Sequence, residues 1–206
     1  MLNMVALRVF LKTIQGGGRK YDERNLLKLR EFSKECLEDL TISPNERVLE
    51  IGPNRLVGAE NSPVFERYPT TFFDLSSRSL EGGFKYFDLD IDPNVNPSYL
   101  GDISSKNLSL PANSYDKVIC FSVLEHVFDI RTAIHNMQVS LKRGGECHII
   151  TPWDLRFHGP RPDCWRISDD AYRLLLEPTF TKVSIRQIPN PRRPLSPVGI
   201  YVVATK

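Results

Sequence analysis

Apolar residues along this chain follow two spacings, and the order in which they alternate sets the expected architecture. From Asn25 to Leu40, NLLKLREFSKECLEDL places Leu26, Leu29, Phe32, Cys36 and Leu40 at three- and four-residue steps, the period of an amphipathic helix. RVLEI follows and runs straight into Gly52-Pro53, a strand ended by a turn. Further short apolar runs bounded by turn residues are TTFFDL (Thr70 to Leu75), KYFDLDI (Lys85 to Ile91), DKVICFSVL (Asp116 to Leu124) and ECHIITPW (Glu146 to Trp153). Such runs suit strands buried on both faces. Between the last two, DIRTAIHNMQVSLKRGG sets Ile130, Ile134, Met137 and Leu141 on one helical face, with Gly144-Gly145 as the stop. Strand, helix, strand implies a right-handed parallel crossover. The last third reads as the helix DDAYRLLLE and two strands, FTKVSIRQI and GIYVVAT, separated by an extended, proline-rich PNPRRPLSP. The expected class is α/β with a doubly wound sheet.

Composition narrows this picture. A chain of 206 residues, 41% hydrophobic and 25% charged, suits one soluble domain with its own core. An N-terminal helical region over residues 1–46 is expected to precede the main domain, residues 47–206. Lys plus Arg number 27 against 25 Asp plus Glu. That balance lacks the basic excess on which nucleic-acid binding usually draws, so charge gives no strong nucleic-acid signal. Cys36, Cys120, Cys147 and Cys164 form no CxxC pair. Neither a zinc site nor a redox motif is signalled, no metal is expected, and the thiols read as reduced and buried.

The N-terminal MLNMVALRVFLKTIQ is interrupted by Arg8 and Lys12 and followed by no small-residue cleavage site, which argues against a secretory signal. No run approaches transmembrane length, and a cytoplasmic protein is expected. As a helix ahead of a Gly16-Gly17-Gly18 hinge, this segment puts Leu2, Val5, Val9 and Phe10 on one face. That face serves either core packing or an interfacial stripe through which a homodimer forms.

Three stretches carry candidate chemistry. In a doubly wound sheet, ligands sit outside the carboxyl ends of the strands. VLEIGPN, Val48 to Asn54, has the form of a strand entering a glycine turn, with Gly52, Pro53 and Asn54 at the cradle and Glu50 a carboxylate inside an apolar strand. A plain structural corner would look the same. In YFDLDIDPNVNPSYLGDIS, Asp90 is placed to accept both ribose hydroxyls, unless the stretch is only a solvated turn. Twelve residues further, Gly101-Asp102-Ile103 offers a carboxylate and a backbone amide where an adenine amino group would be read. In SYDKVICFSVLEHVFD an apolar strand ends in Glu125-His126, which suits a cofactor carboxylate, a substrate or a proton shuttle, or else a pair that caps the next helix.

In this order the segments resemble the class I methyltransferases of the type 11 group. That pattern runs from V-L-E/D-I-G through L-D-I-D and G-D to F-D-x-V, V-L-E-H and L-K-x-G-G; here stand VLEIG, LDID, GD, YDKVICFSVLEH and LKRGG, from about Arg47 to Pro152. FHGPRPDCWRISDDAYRLLLEPTF is similar to the H-x-x-P-x-D-Y-W-R-F-T segment of one bacterial subgroup. The resemblance implies a Rossmann-like, seven-stranded, single-domain fold whose last two strands form an antiparallel pair. It also implies S-adenosyl-L-methionine as cofactor, held along Glu50, Gly52, Asp90, Asp102 and the strand end at Phe121. Two departures stand out. Asn54 replaces the family's second glycine, and Asp74, at another candidate strand end, rivals Asp90 for the ribose; Asp90 is preferred because its short step to Asp102 matches the subgroup.

The acceptor side of such an enzyme is expected in the segment Phe157 to Arg166, which gathers His158, Asp163, Trp165 and Arg166 in ten residues. His158 and His126 are the candidate catalytic groups, with His158 the general base. In the structural alternative, Asp163 pairs with Arg166 and Trp165 plugs the core. A glycan or a small metabolite is the expected acceptor. Two other readings compete. A methyltransferase-like scaffold without catalysis fits the altered glycine turn, whereas a nicotinamide-dependent oxidoreductase expects G-x-G-x-x-G where this chain has G-P-N-R-L-V.

Overall fold

The computed structural model describes residues 19–53 and 75–206. The N-terminal stripe, the Gly16–Gly18 hinge, Asn54, the Thr70–Asp74 part of one candidate strand and Asp74 itself lie outside them. Helix α1 is Arg19–Asp39, followed by β1 Arg47–Ile51, α2 Leu75–Gly82, β2 Lys85–Asp90, β3 Tyr99–Leu100 and β4 Tyr115–Phe121. The order continues with α3 Ile130–Ser140, β5 Leu141–Pro152, α4 Asp169–Leu176, β6 Lys182–Ile188 and β7 Gly199–Thr205. The seven strands lie in the order β3-β2-β1-β4-β5-β7-β6. β1 to β5 pair in parallel, while β7 runs antiparallel to both β5 and β6. This is the Rossmann-like sheet with a reversed final strand that the pattern predicts.

Period-two alternation explains why both faces are covered. Leu49, Ile51, Val118, Cys120, Cys147 and Ile149 point to one side, where Ala133, Ile134 and Met137 of α3 and Tyr172 and Leu176 of α4 bury them. Val48, Ile119 and Ile150 point to the other, against Leu37 of α1, Leu75 of α2 and Leu29 of α1. Each fully buried Leu or Ile contributes about 1.5–3 kcal/mol of transfer free energy, which favours this register over any one-residue slip. Asp129 caps α3 by accepting from Thr132 N–H (3.1 Å), and Ser168 caps α4 by accepting from Ala171 N–H (3.2 Å).

Several expectations change. Gly144-Gly145 do not stop a helix: α3 ends at Ser140, and β5 already begins at Leu141. Tyr115 pairs with Leu141 and Lys117 with Glu146, so Lys142–Gly145 bulge out of the ladder. Gly144 there has φ of 79°, and Lys142 Nζ meets Asp116 at 2.7 Å. Leu141 matched the helical period only because a strand's first apolar residue fell at the next helical step. β4 stops at Phe121, where Ser122 turns to φ of 56° and Leu124–His126 coil into a 3-10 turn. Leu75 opens α2 instead of ending a strand. PNPRRPLSP folds into tight turns through Arg193 N–H to Asn190 O and Ser196 N–H to Arg193 O. In α1, Leu37 is buried deeper than the expected Leu26, and Leu40 falls just past the end of the helix. Among the thiols, Cys120 and Cys147 are buried, whereas Cys36 and Cys164 are only half-buried; all four are free. Among the described residues, no helix is long and apolar enough to cross a membrane.

Candidate active site

Because β1 to β4 are parallel, their carboxyl ends meet at one edge of the sheet. Gly52 follows β1, Asp90 closes β2, Gly101 and Asp102 follow β3, and Phe121 closes β4. Backbone bonds tie these ends together: Gly52 N–H donates to Leu89 O and Gly101 N–H to Asp90 O, both at 2.8 Å, and Ser122 N–H to Ile150 O at 2.7 Å. Gly52 has φ of 59°, and a Cβ placed there would lie 2.7 Å from Val123 Cγ2. The turn therefore requires glycine and presents bare backbone beside the acidic end of β2. Ser122 holds a left-handed φ without that freedom, local strain of the kind that collects at ligand sites.

The candidate cofactor residues differ in what their side chains do. Asp90 is partly exposed, and its Oδ1 accepts from Asp92 N–H at 2.8 Å. Asp102 is exposed, its Oδ1 accepting from the Ser104 amide and hydroxyl at 2.7 Å. The Glu50 carboxylate accepts from Tyr86 OH at 2.6 Å, a partner on β2 that the sequence reading did not identify. Ile103 is a core residue whose carbonyl accepts from Asn136 Nδ2, Pro53 is buried, and the Phe121 ring packs edge-on to Tyr201, 6.4 Å between centroids. The side chains of these three are engaged in packing.

Next to β4 lies the second part of the site. Glu125 is fully buried, and neither of its carboxylate oxygens has a hydrogen-bond partner among the described residues. Burial pushes its carboxyl up to about 8 against the opposing charge of Arg166. The segment after β5 folds back onto this turn, with Cys164 N–H and Trp165 N–H donating to Glu125 O at 2.7 and 3.2 Å. That return brings His158 to His126, their rings 5.0 Å apart and edge-on. The Nε2 atom of each lies 3.9 Å from Glu125 Oε1. His126 Nδ1 donates to Pro162 O at 2.8 Å, and burial holds its imidazole below the ordinary value.

Both the functional and the structural expectations for the segment 157–166 describe part of what is there. Asp163 takes Arg166 in a bidentate pair at 2.6 and 3.0 Å and accepts from His158 N–H at 2.8 Å, so the loop is pinned. Despite the cost of burial, these partners bring the Asp163 carboxyl down to about 2. Trp165 does not plug the core. It remains 39% exposed, donates from Nε1 to Val127 O and lies beside the exposed Phe128.

The family described as "Methyltransferase domain" matches residues 73–149. No curated protein matches the sequence. Among solved structures, a SAM-dependent methyltransferase from Archaeoglobus fulgidus is similar over 97% of this chain and 99% of its own, at 16% identity and a TM-score of 0.62. The complex between the Haloferax volcanii Trm112 methyltransferase activator and the putative methyltransferase matches over 90% and 94%, at 15% identity and 0.61. Phosphoethanolamine N-methyltransferase 2 of Haemonchus contortus, solved with S-adenosyl-L-methionine, matches 89% of this chain at 14% identity and 0.57. The present chain spans about half of that enzyme, 52% of its length. At these identities the likeness is one of fold, that of the Rossmann-like methyltransferases, and the family match lies within it over residues 73–149.

Proposed function

We propose that this chain is an S-adenosyl-L-methionine-dependent methyltransferase whose acceptor, a glycan or small metabolite, docks over His126, His158 and Trp165. The observation that carries the reading is the convergence of the Gly52 turn with Asp90 at the carboxyl edge of the sheet. A Cβ at Gly52 would collide with Val123, and Asp90 closes the strand whose Leu89 carbonyl accepts from the Gly52 amide, which fits a nucleoside with two ribose hydroxyls to be accepted. Gly52 and Asp90 would hold the nucleoside, with the Asp102–Ile103 backbone toward the base. Glu50 orients Tyr86 and the end of β1.

When bound, the sulfonium supplies an electrophilic methyl that an acceptor nucleophile takes in line. What the protein must do is align the acceptor and exclude water. Phe128 and Trp165 offer an apolar wall beside the histidines. The acceptor-only neighbours of His158 Nδ1, the Asp163 carboxylate at 3.2 Å and the Arg156 carbonyl at 3.1 Å, put the proton on Nδ1. Nε2 is then left with a lone pair for an acceptor proton, the orientation a general base needs. Arg166 keeps Asp163 ionised for that task.

Calorimetric titration with S-adenosylhomocysteine and with NADH tests the reading. Micromolar binding of the first and none of the second is expected, with Asp90→Ala weakening affinity by about 1.5–3 kcal/mol through lost charge-assisted bonds. No heat at millimolar S-adenosylhomocysteine would leave the scaffold reading in its place.

A further inference from the structure

The fully buried Glu125 carboxylate, with two imidazole nitrogens aimed at it, calls for a group that methyl transfer does not provide. A buried carboxylate without a partner costs several kcal/mol unless it binds a proton or a cation. Arg166 does not fill this role, because its guanidinium is taken up by Asp163 and by the carbonyls of Leu155, Arg156 and Trp165. Proton positions on the histidines follow from their other contacts. Pro162 O can only accept, so His126 carries its proton on Nδ1 and a lone pair on Nε2. The same reasoning applied to Asp163 and Arg156 gives His158 a lone pair on Nε2. Three electron-pair donors thus face a common point, with ligand atoms all within 4.8 Å of one another.

We propose that Glu125, His126 and His158 form a binding site for a divalent transition-metal ion, of the zinc, manganese or iron(II) class, at the carboxyl end of β4. The donor set selects the class: two imidazoles and one carboxylate suit these ions, whereas magnesium and calcium prefer oxygen alone. Ligands about 2.0–2.1 Å from a tetrahedral ion stand about 3.4 Å apart, so the observed 3.9 Å from each Nε2 to Glu125 Oε1, within a set spanning at most 4.8 Å, needs the half-buried rings to close by about 0.5–1.4 Å. Behind each ring stands the outer contact that metal-binding histidines usually have: a backbone carbonyl for His126, and for His158 a carboxylate itself fixed by Arg166. Three protein ligands leave one position of a tetrahedral ion for a further ligand, as in catalytic sites.

The metal site stands without the methyl-transfer reading, but its use rests on that reading. An acceptor hydroxyl would bind the ion through oxygen and, made more acidic there, release its proton to water. That oxygen would then form the new bond to the methyl carbon as the carbon–sulfur bond breaks and its electron pair stays on sulfur. His158 then acts as a ligand, and the ion takes over the activation otherwise assigned to it as base.

The experiment uses the full chain stripped by a chelator and titrated separately with zinc, manganese and magnesium chloride, alongside S-adenosylhomocysteine. One equivalent of zinc should bind at micromolar affinity or tighter, and magnesium should bind at least 100-fold more weakly. His126→Ala and His158→Ala, both at half-buried positions, should each weaken zinc at least 10-fold, as should Glu125→Gln. His135→Asn, an exposed histidine on α3, should leave it unchanged, with circular dichroism reporting the fold of every variant. Zinc binding that survives in folded His126→Ala and His158→Ala, or its absence from the wild-type chain, overturns the proposal. Zinc binding lost in the variants while S-adenosylhomocysteine fails to bind even the wild type would keep the metal site and remove the methyl-transfer reading.

Discussion

Replacing Gly52 by alanine probes the turn on which the cofactor site depends. The new methyl group meets two separate penalties. A left-handed φ costs an L-residue about 1–2 kcal/mol, and the 2.7 Å approach to Val123 Cγ2 forces a stiff β-branched side chain to shift, adding about 1–3 kcal/mol. The lower entropy of the unfolded alanine chain returns about 0.4–1 kcal/mol. The net expectation is a loss of about 2–4 kcal/mol, measured by urea unfolding at constant m-value. Val123→Ala removes the clashing methyl but not the strain in φ. The double variant Gly52→Ala/Val123→Ala should therefore be more stable than the sum of the two single effects by about 1–3 kcal/mol. Agreement with simple additivity to within about 0.5 kcal/mol would refute this account of the turn.

Other consequences are separable. Tyr172→Phe removes a fully buried hydroxyl 2.8 Å from Thr151 Oγ1 and leaves that oxygen unpaired, so stability should fall by about 1–3 kcal/mol in chemical denaturation. Asp163→Asn breaks the bidentate pair with Arg166, which is only partly buried, and should cost about 2–4 kcal/mol by the same assay. His148, buried against Tyr201, has its imidazole pushed down to about 4 by burial and by Lys117. Its folded value lies below the unfolded one, so its contribution is complete above about pH 6.5 and is lost as pH falls toward 4. The melting temperature should drop between pH 7 and pH 4.5, and His148→Asn should flatten that slope.

The strands were legible in the sequence because burial on both faces leaves short apolar runs between turn residues. GIYVVAT and KYFDLD stand at β7 and β2 with at most one residue of difference. Boundaries were harder to read where backbone conformation decides them. Leu141 satisfied a helical spacing and a strand start equally, and only its pairing with Tyr115 and the bulge over Lys142–Gly145 distinguish the two. Within the site, strand-end residues such as Asp90 could be read from the order of elements. Tyr86 beneath Glu50 could not, since neighbours across a parallel sheet have no fixed separation in sequence. The same limit hid the histidine pair. Glu125-His126 and His158 each stood out in the sequence, but their meeting depends on Cys164 and Trp165 donating to the Glu125 carbonyl. Neither element shows that contact alone. The cysteine spacing gave no hint of a site built from carboxylate and imidazole.

A crystal structure of the chain grown with saturating S-adenosylhomocysteine tests the central claim most directly. The account predicts both ribose hydroxyls on the Asp90 carboxylate, the nucleoside against the Gly52 turn, and the sulfur on the side facing Glu125, His126 and His158. A ribose held elsewhere with Asp90 bare, or a ligand bound away from the carboxyl ends of β1, β2 and β4, would contradict it.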